Sequence, residues 1–144
     1  MINSFENYLK LGKVKRKTPD SEEAKALLKK STERVEYIRH KNISNKTSSF
    51  VLEDAYEAAR EAAQALMSVK GFKPYSHEAT ISFIKEFYKS SFNEEEIHEF
   101  DRFRQLRNDS VYKAVTIIEE DAKSSVLFAK IFTKKVESLL KSKE

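Results

Sequence analysis

Only two glycines and two prolines punctuate the 144 residues of the chain, and that scarcity constrains the fold more than any other feature. Sheets with many turns draw on glycine for positive φ and on proline for preset turn geometry, whereas long helices joined by short connections need little of either. The expected class is therefore all-α. With 40% hydrophobic and 35% charged residues, the chain carries enough apolar side chains for one core, and its length suits one domain. Cysteine is absent, which excludes a disulfide framework, a thiol nucleophile and a thiolate metal site. No segment approaches the roughly 20 apolar residues of a membrane span, so an intracellular, cytoplasmic protein without membrane contact is expected.

Helical periodicity and capping signals divide the chain. Thr18-Pro19-Asp20-Ser21-Glu22-Glu23 reads as a helix start, with Thr18 as cap and Pro19 in the first turn. Ala24, Leu27, Leu28, Ser31, Val35 and Ile38 then form an inner face up to about His40. A second helix, from about Ser49 to Lys70, carries Ala55, Ala58, Ala59, Ala62, Ala63 and Ala65. Small side chains admit close neighbours and favour helix, so this segment is expected at the centre of a bundle. Gly71 suits a left-handed cap after it, and Pro74 stops continuation. Ser76 opens a third helix that ends near Ser90-Ser91. Asn93 with Glu96 has capping-box spacing and opens a fourth, and Thr116 with Glu119 has the same spacing before the last. The architecture predicted is an up-and-down bundle of about five helices.

Ahead of the bundle, residues 1–17 combine an apolar set (Ile2, Phe5, Tyr8, Leu9) with a basic run (Lys10, Lys13, Lys15, Arg16, Lys17). This reads as a basic arm with a short helix and a linker, leaving residues 18–144 as the single bundle domain. A solvated loop is the ordinary reading of such a run, and an arm on nucleic-acid phosphate is the functional one. Metal and cofactor chemistry have little to draw on. His40, His77 and His98 are far apart, His98 lies among surface glutamates, and Gly12 and Gly71 are isolated rather than part of a phosphate loop. No metal and no cofactor are expected, and covalent nucleophilic catalysis has no obvious Ser-His-acid cluster to use.

The segment Glu99–Tyr112 is the least scaffold-like part of the chain. Phe100, Phe103 and Leu106 give it an inward stripe, while Arg102 and Arg104 point about 200° apart on an ideal helix and must serve different faces. Arg107 falls at the edge of the inward face. A guanidinium there keeps its charge and needs a partner. Spacing alone favours an internal ion pair with Glu57, Glu61 or Asp109, and the functional alternative is a phosphate.

Taken together, Tyr56-Glu57-Ala58-Ala59-Arg60-Glu61-Ala62-Ala63-Gln64-Ala65-Leu66, then Gly71 and Ser76-His77, then Arg107-Asn108-Asp109-Ser110-Val111-Tyr112 and a long final helix resemble a HEPN domain (higher eukaryotes and prokaryotes nucleotide-binding). The resemblance covers about residues 20–140 and rests mainly on the Arg-Asn-x-x-x-[His or Tyr] element. It implies a five-helix domain that forms a homodimer with two motif copies facing one cleft. Many such proteins are metal-independent ribonucleases, often toxins paired with a nucleotidyltransferase antitoxin, in which the motif Arg holds phosphate and the motif His assists the ribose 2′-OH. By that resemblance Arg107 takes the Arg position, Asn108 is its polar neighbour, and Tyr112 stands where the His would be. A tyrosine with a pKa near ~10 is a poor general base at neutral pH, where a histidine near ~6.5 is well suited. The resulting expectation is a nucleotide- or RNA-binding and partner-binding domain that does not cleave, with Arg107, Asn108, Arg104 and Tyr112 as ligand-facing residues and a nucleotidyltransferase as possible partner. The alternatives are a ribonuclease using Arg107 with Tyr112, or a histidine such as His98, in place of the missing one, and a purely structural interaction subunit.

Overall fold

The alanine-rich helix is the axis of the molecule. In the computed structural model, which describes residues 2–142, the elements in chain order are α1 (Phe5–Lys10), β1 (Val14–Arg16), α2 (Ser21–Arg39), α3 (Ser48–Lys70), β2 (Phe72–Pro74), α4 (His77–Phe87), α5 (Glu94–Lys113) and α6 (Glu119–Lys141). The outermost residues of the two expected segments, Met1, Lys143 and Glu144, lie outside that range. All six alanines of α3 are buried, and α3 touches α2, α4, α5, α6 and β2. Where α2, α3 and α6 cross, the Ser31 hydroxyl donates to the Ala58 carbonyl (2.7 Å) and shares a hydrogen bond with Thr133 (3.1 Å). Small apolar and small polar side chains together let three helices meet there. Aromatic side chains fill the remaining core: Phe5, Phe72 and Phe83 pack edge to face on one side, and Phe100 packs against Phe132 on the other.

Local signals placed several boundaries well. Ser76 accepts from the Ala79 amide (3.0 Å), and Asn93 with Glu96 closes both bonds of a capping box. Gly71 ends α3 at φ 83°, and a Cβ there would come within 2.7 Å of the Lys17 carbonyl oxygen. Glycine is required by both conformation and space.

Four expectations are corrected. The basic run is no linker, because Val14–Arg16 pairs antiparallel with Phe72–Pro74, with Val14 and Phe72 buried beneath the ribbon. Among the described residues this small sheet is the one departure from all-helical secondary structure. The next helix starts later than Thr18: Asp20 caps it by accepting from the Glu23 amide (2.9 Å), because the chain before it is tied to the end of α3, the Lys17 amide donating to the Gly71 carbonyl (2.9 Å) and the Asp20 amide to the Ser68 carbonyl (3.0 Å). α4 stops at Phe87, short of Ser90. The last helix begins at Glu119 without a side-chain cap, since Ile117 is drawn into the core on an extended segment and Thr116 is left exposed.

Candidate functional site

The three arginines of α5 have three different fates. Arg102 reaches α6, bonding Glu99 (2.7 Å) on its own helix and Asp121 (2.9 Å) across the gap. These bonds, led by Glu99, raise its pKa above the ordinary arginine value. Arg104 faces the other way and is nearly covered, with Asp101 at 2.7 Å and Glu78 of α4 at 3.8 Å. Arg107 has neither kind of partner. Among the described residues its side chain makes one hydrogen bond, from Nη1 to the Asn108 side-chain oxygen (3.2 Å), and its guanidinium lies 5.9 Å from the Tyr112 ring centroid.

The internal ion pair expected for Arg107 is therefore corrected. Glu57 is held by Arg60 one turn along α3, which also donates to Gln64 (2.8 Å). Glu61 is held by Arg34 from α2 (3.0 Å), and Asp109 by Lys113 (3.6 Å). Each candidate acid already has a cation. Among the described residues Arg107 carries no ion pair, and it sits part-buried at the junction of α3, α4 and α5.

That junction holds residues that spacing did not single out. His77, the first residue of α4, stacks nearly parallel on Tyr56 of α3 with ring centroids 5.5 Å apart, and the Tyr56 hydroxyl lies 2.8 Å from His77 Nδ1. Burial holds the His77 pKa below its ordinary value, and the charges of Arg60, Arg107 and Arg104 push it the same way, against Glu57. Its place at a helix N-terminus adds to that disfavour. Tyr56 is buried, and burial raises its pKa despite the nearby arginines. A buried phenol keeps its proton and must give it to an acceptor. The acceptor among the described residues is His77 Nδ1. With Nδ1 accepting from Tyr56, the neutral imidazole carries its proton on Nε2, which is then a donor. Glu57 completes the picture: burial would raise its carboxyl, but the bond and charge of Arg60, with His77 and Arg107 nearby, hold it below the usual range.

The other sequence candidates are placed as follows. Asn108 contacts Arg107 directly, and Tyr112 is 74% exposed at the end of α5. His98 is exposed in the first turns of α5, nine positions before Arg107 and so ~13 Å away along the helix axis. It does not join the cluster. The end of α5 is tied to α3 by a bond from Ser110 to Glu53 (2.8 Å). The sequence signal for the missed residues was Tyr56, Arg60 and Gln64 at i, i+4 and i+8, a polar row on the alanine-rich helix.

Fold and site define a class: a helical bundle that gathers arginines and a histidine of lowered pKa where three helices meet. A family model describing the HEPN domain matches residues 24–139, and the chain belongs to that family. Comparison with curated proteins gave no significant match. No helix of the described residues is long and apolar enough to cross a membrane.

Proposed function

We propose that this HEPN domain binds a phosphate of a nucleotide or RNA strand at Arg107 and holds it without cleaving it. The observation that carries this reading is the unpaired guanidinium. Arg34, Arg60, Arg102 and Arg104 each hold a carboxylate, whereas among the described residues part-buried Arg107 forms no ion pair and its charge is open to an anion. Asn108 steadies its fork, His77 Nε2–H supplies a second donor, and exposed Tyr112 offers a ring on which a base can stack. Arg104, held by two carboxylates, contributes field rather than direct contact. A non-cleavable phosphodiester, the deoxythymidine dinucleotide, tests this by calorimetric titration at low salt. Arg107→Ala should weaken binding about tenfold or more, the size of a lost charged hydrogen bond. Unchanged affinity would remove Arg107 from the function.

His77 also supports a second reading, metal-independent RNA cleavage. Burial first, and then the surrounding arginines, hold the ring's pKa below its ordinary value and favour the neutral form that a general base needs. That chemistry requires the proton on Nδ1 and a free Nε2, opposite to the assignment imposed by Tyr56. Cleavage products with 2′,3′-cyclic phosphate ends, abolished in His77→Gln, would favour it over the binding reading.

Self-association belongs to the same proposal. Val111, Tyr112, Val115 and Ile118 are exposed around the end of α5, beside Arg107, and cover by a second copy would bring two sites together. Sedimentation of the purified chain decides between dimer and monomer. A nucleotidyltransferase partner is proposed on family membership alone, and co-purification with such a protein tests it.

A further inference from the structure

The β1–β2 ribbon carries a second cluster that neither Arg107 nor the core explains. Its buried side, Val14 and Phe72, packs down onto the bundle. In the antiparallel register Lys15 lies directly opposite Lys73, so two ammonium groups share the outer face. Like charges directly opposed across a ladder are destabilising. Tyr75 follows on the same face two residues after Lys73, is 55% exposed, and has Lys15 at 5.3 Å and Lys73 at 5.5 Å from its ring centroid. Its amide is fixed by the Lys13 carbonyl (2.8 Å), so the ring is carried on a paired backbone. Lys17 is neutralised by Glu23, whereas among the described residues Lys13, Lys15, Arg16, Lys70 and Lys73 form no ion pair.

Lysines on a strand edge are a common guard against edge-to-edge pairing. That role accounts for Lys15 and Lys73 but gives no reason for an exposed aromatic ring between them. Phosphate-binding cations around a solvent-facing ring have another use, since unpaired bases stack on aromatic faces while cations track the backbone.

We propose that the outer face of the β1–β2 ribbon is a second contact for nucleic acid, taking an unpaired base on Tyr75 and the flanking phosphates on Lys15 and Lys73. The partner is single-stranded, because a base within a duplex offers no free face. The exposed cation–π contacts are weaker than base stacking, so an incoming base displaces a lysine from the ring, and the freed ammonium meets the phosphate. This site does not rest on the Arg107 reading. Tyr75 is two residues before His77, so one strand bound at both places would follow the chain from the ribbon to the α3–α4–α5 junction.

The test uses the full chain and a fluorescein-labelled dodecamer of deoxythymidine, which has no 2′-OH and cannot be cleaved through one. Tyr75→Ala should weaken binding about tenfold, and Tyr75→Phe should bind like the parent. Replacing Lys15 and Lys73 by Ala should reduce the slope of log affinity against log salt by about 1.4, or ~0.7 for each phosphate that is no longer neutralised. The chain contains no tryptophan, so Tyr75→Trp supplies a single reporter that a stacked base should quench. The dinucleotide probe for Arg107 should bind Tyr75→Ala as it binds the parent, which separates the two sites. The proposal is overturned if Tyr75→Ala binds the dodecamer within twofold of the parent, if duplex DNA binds as tightly as the single strand, or if phosphatidylserine vesicles quench the tryptophan and the dodecamer does not.

Discussion

Arg34 on α2 and Arg107 on α5 belong to two different helices that both pack on α3, and the contrast between them underlies the proposed function. Arg34 is fully answered: Glu61 takes Nε at 3.0 Å and Nη2 at 3.3 Å, and Asp54 takes Nη1 at 2.9 Å. The Glu61 bond leads the rise in its pKa. Glu61 is only 6% exposed, so the two charges depend on each other for their place in the fold. Among the described residues Arg107 has an amide oxygen for company and no carboxylate. A paired arginine ties helices together, and an unpaired, half-buried one is available to an anion.

The largest effect should come from breaking the answered arginine. Arg34→Ala leaves Glu61 buried without its cation and should destabilise the fold by about 3 kcal/mol, toward the lower end for a buried pair because Arg34 is partly exposed. Urea unfolding measures this, and phosphodiester affinity at the other cluster should be unaffected. Arg107→Ala should show the reverse, with stability within about 0.5 kcal/mol of the parent alongside the loss of binding described above. If both variants lose stability and neither loses binding, the contrast is mistaken.

Acidity sharpens the comparison, because His77 belongs to one cluster only. Its lowered pKa means that the folded protein binds this proton less readily than the unfolded chain, whose histidine titrates near ~6.5. Its contribution to stability is complete above that value and declines as pH falls toward the folded pKa. Binding should change in the opposite sense. A phosphodiester beside His77 favours the imidazolium, so affinity should rise as pH falls toward the lowered pKa of the folded ring, and His77→Gln should flatten the profile. A pH-independent affinity in the parent would detach His77 from the site. The smallest effect is at the end of α5, where Ala114 adopts φ 52°. Ala114→Gly should relieve the left-handed alanine and stabilise the fold by about 1 kcal/mol, with binding unchanged.

What could be read from the sequence was what neighbours along the chain determine. Asn93 and Glu96 are three residues apart, and Gly71 follows its helix directly, so their caps were visible. The pairing of Val14–Arg16 with Phe72–Pro74 was not, since three-residue strands show no periodicity and their partners lie far apart in the chain. Ile117 misled for a related reason: its burial, a tertiary effect, overrode the capping spacing of Thr116 and Glu119. At the site, Arg107 and Asn108 stood out because they end an apolar stripe. That Arg107 lacks an acid could be known only once Arg34 had crossed from α2 to take Glu61. His77 and Tyr56 are likewise brought together by the packing of α4 on α3.

If the unpaired guanidinium of Arg107 receives phosphate, side-chain NMR shows it most directly. In protein labelled with nitrogen-15 at arginine, the Nε–Hε signals of Arg34, Arg102 and Arg107 can be followed during titration with the deoxythymidine dinucleotide. The Arg107 signal should shift saturably while those of Arg34 and Arg102, held by their carboxylates, stay in place. An Arg107 signal that does not move, or moves only as added salt would move it, would contradict a phosphate-binding role.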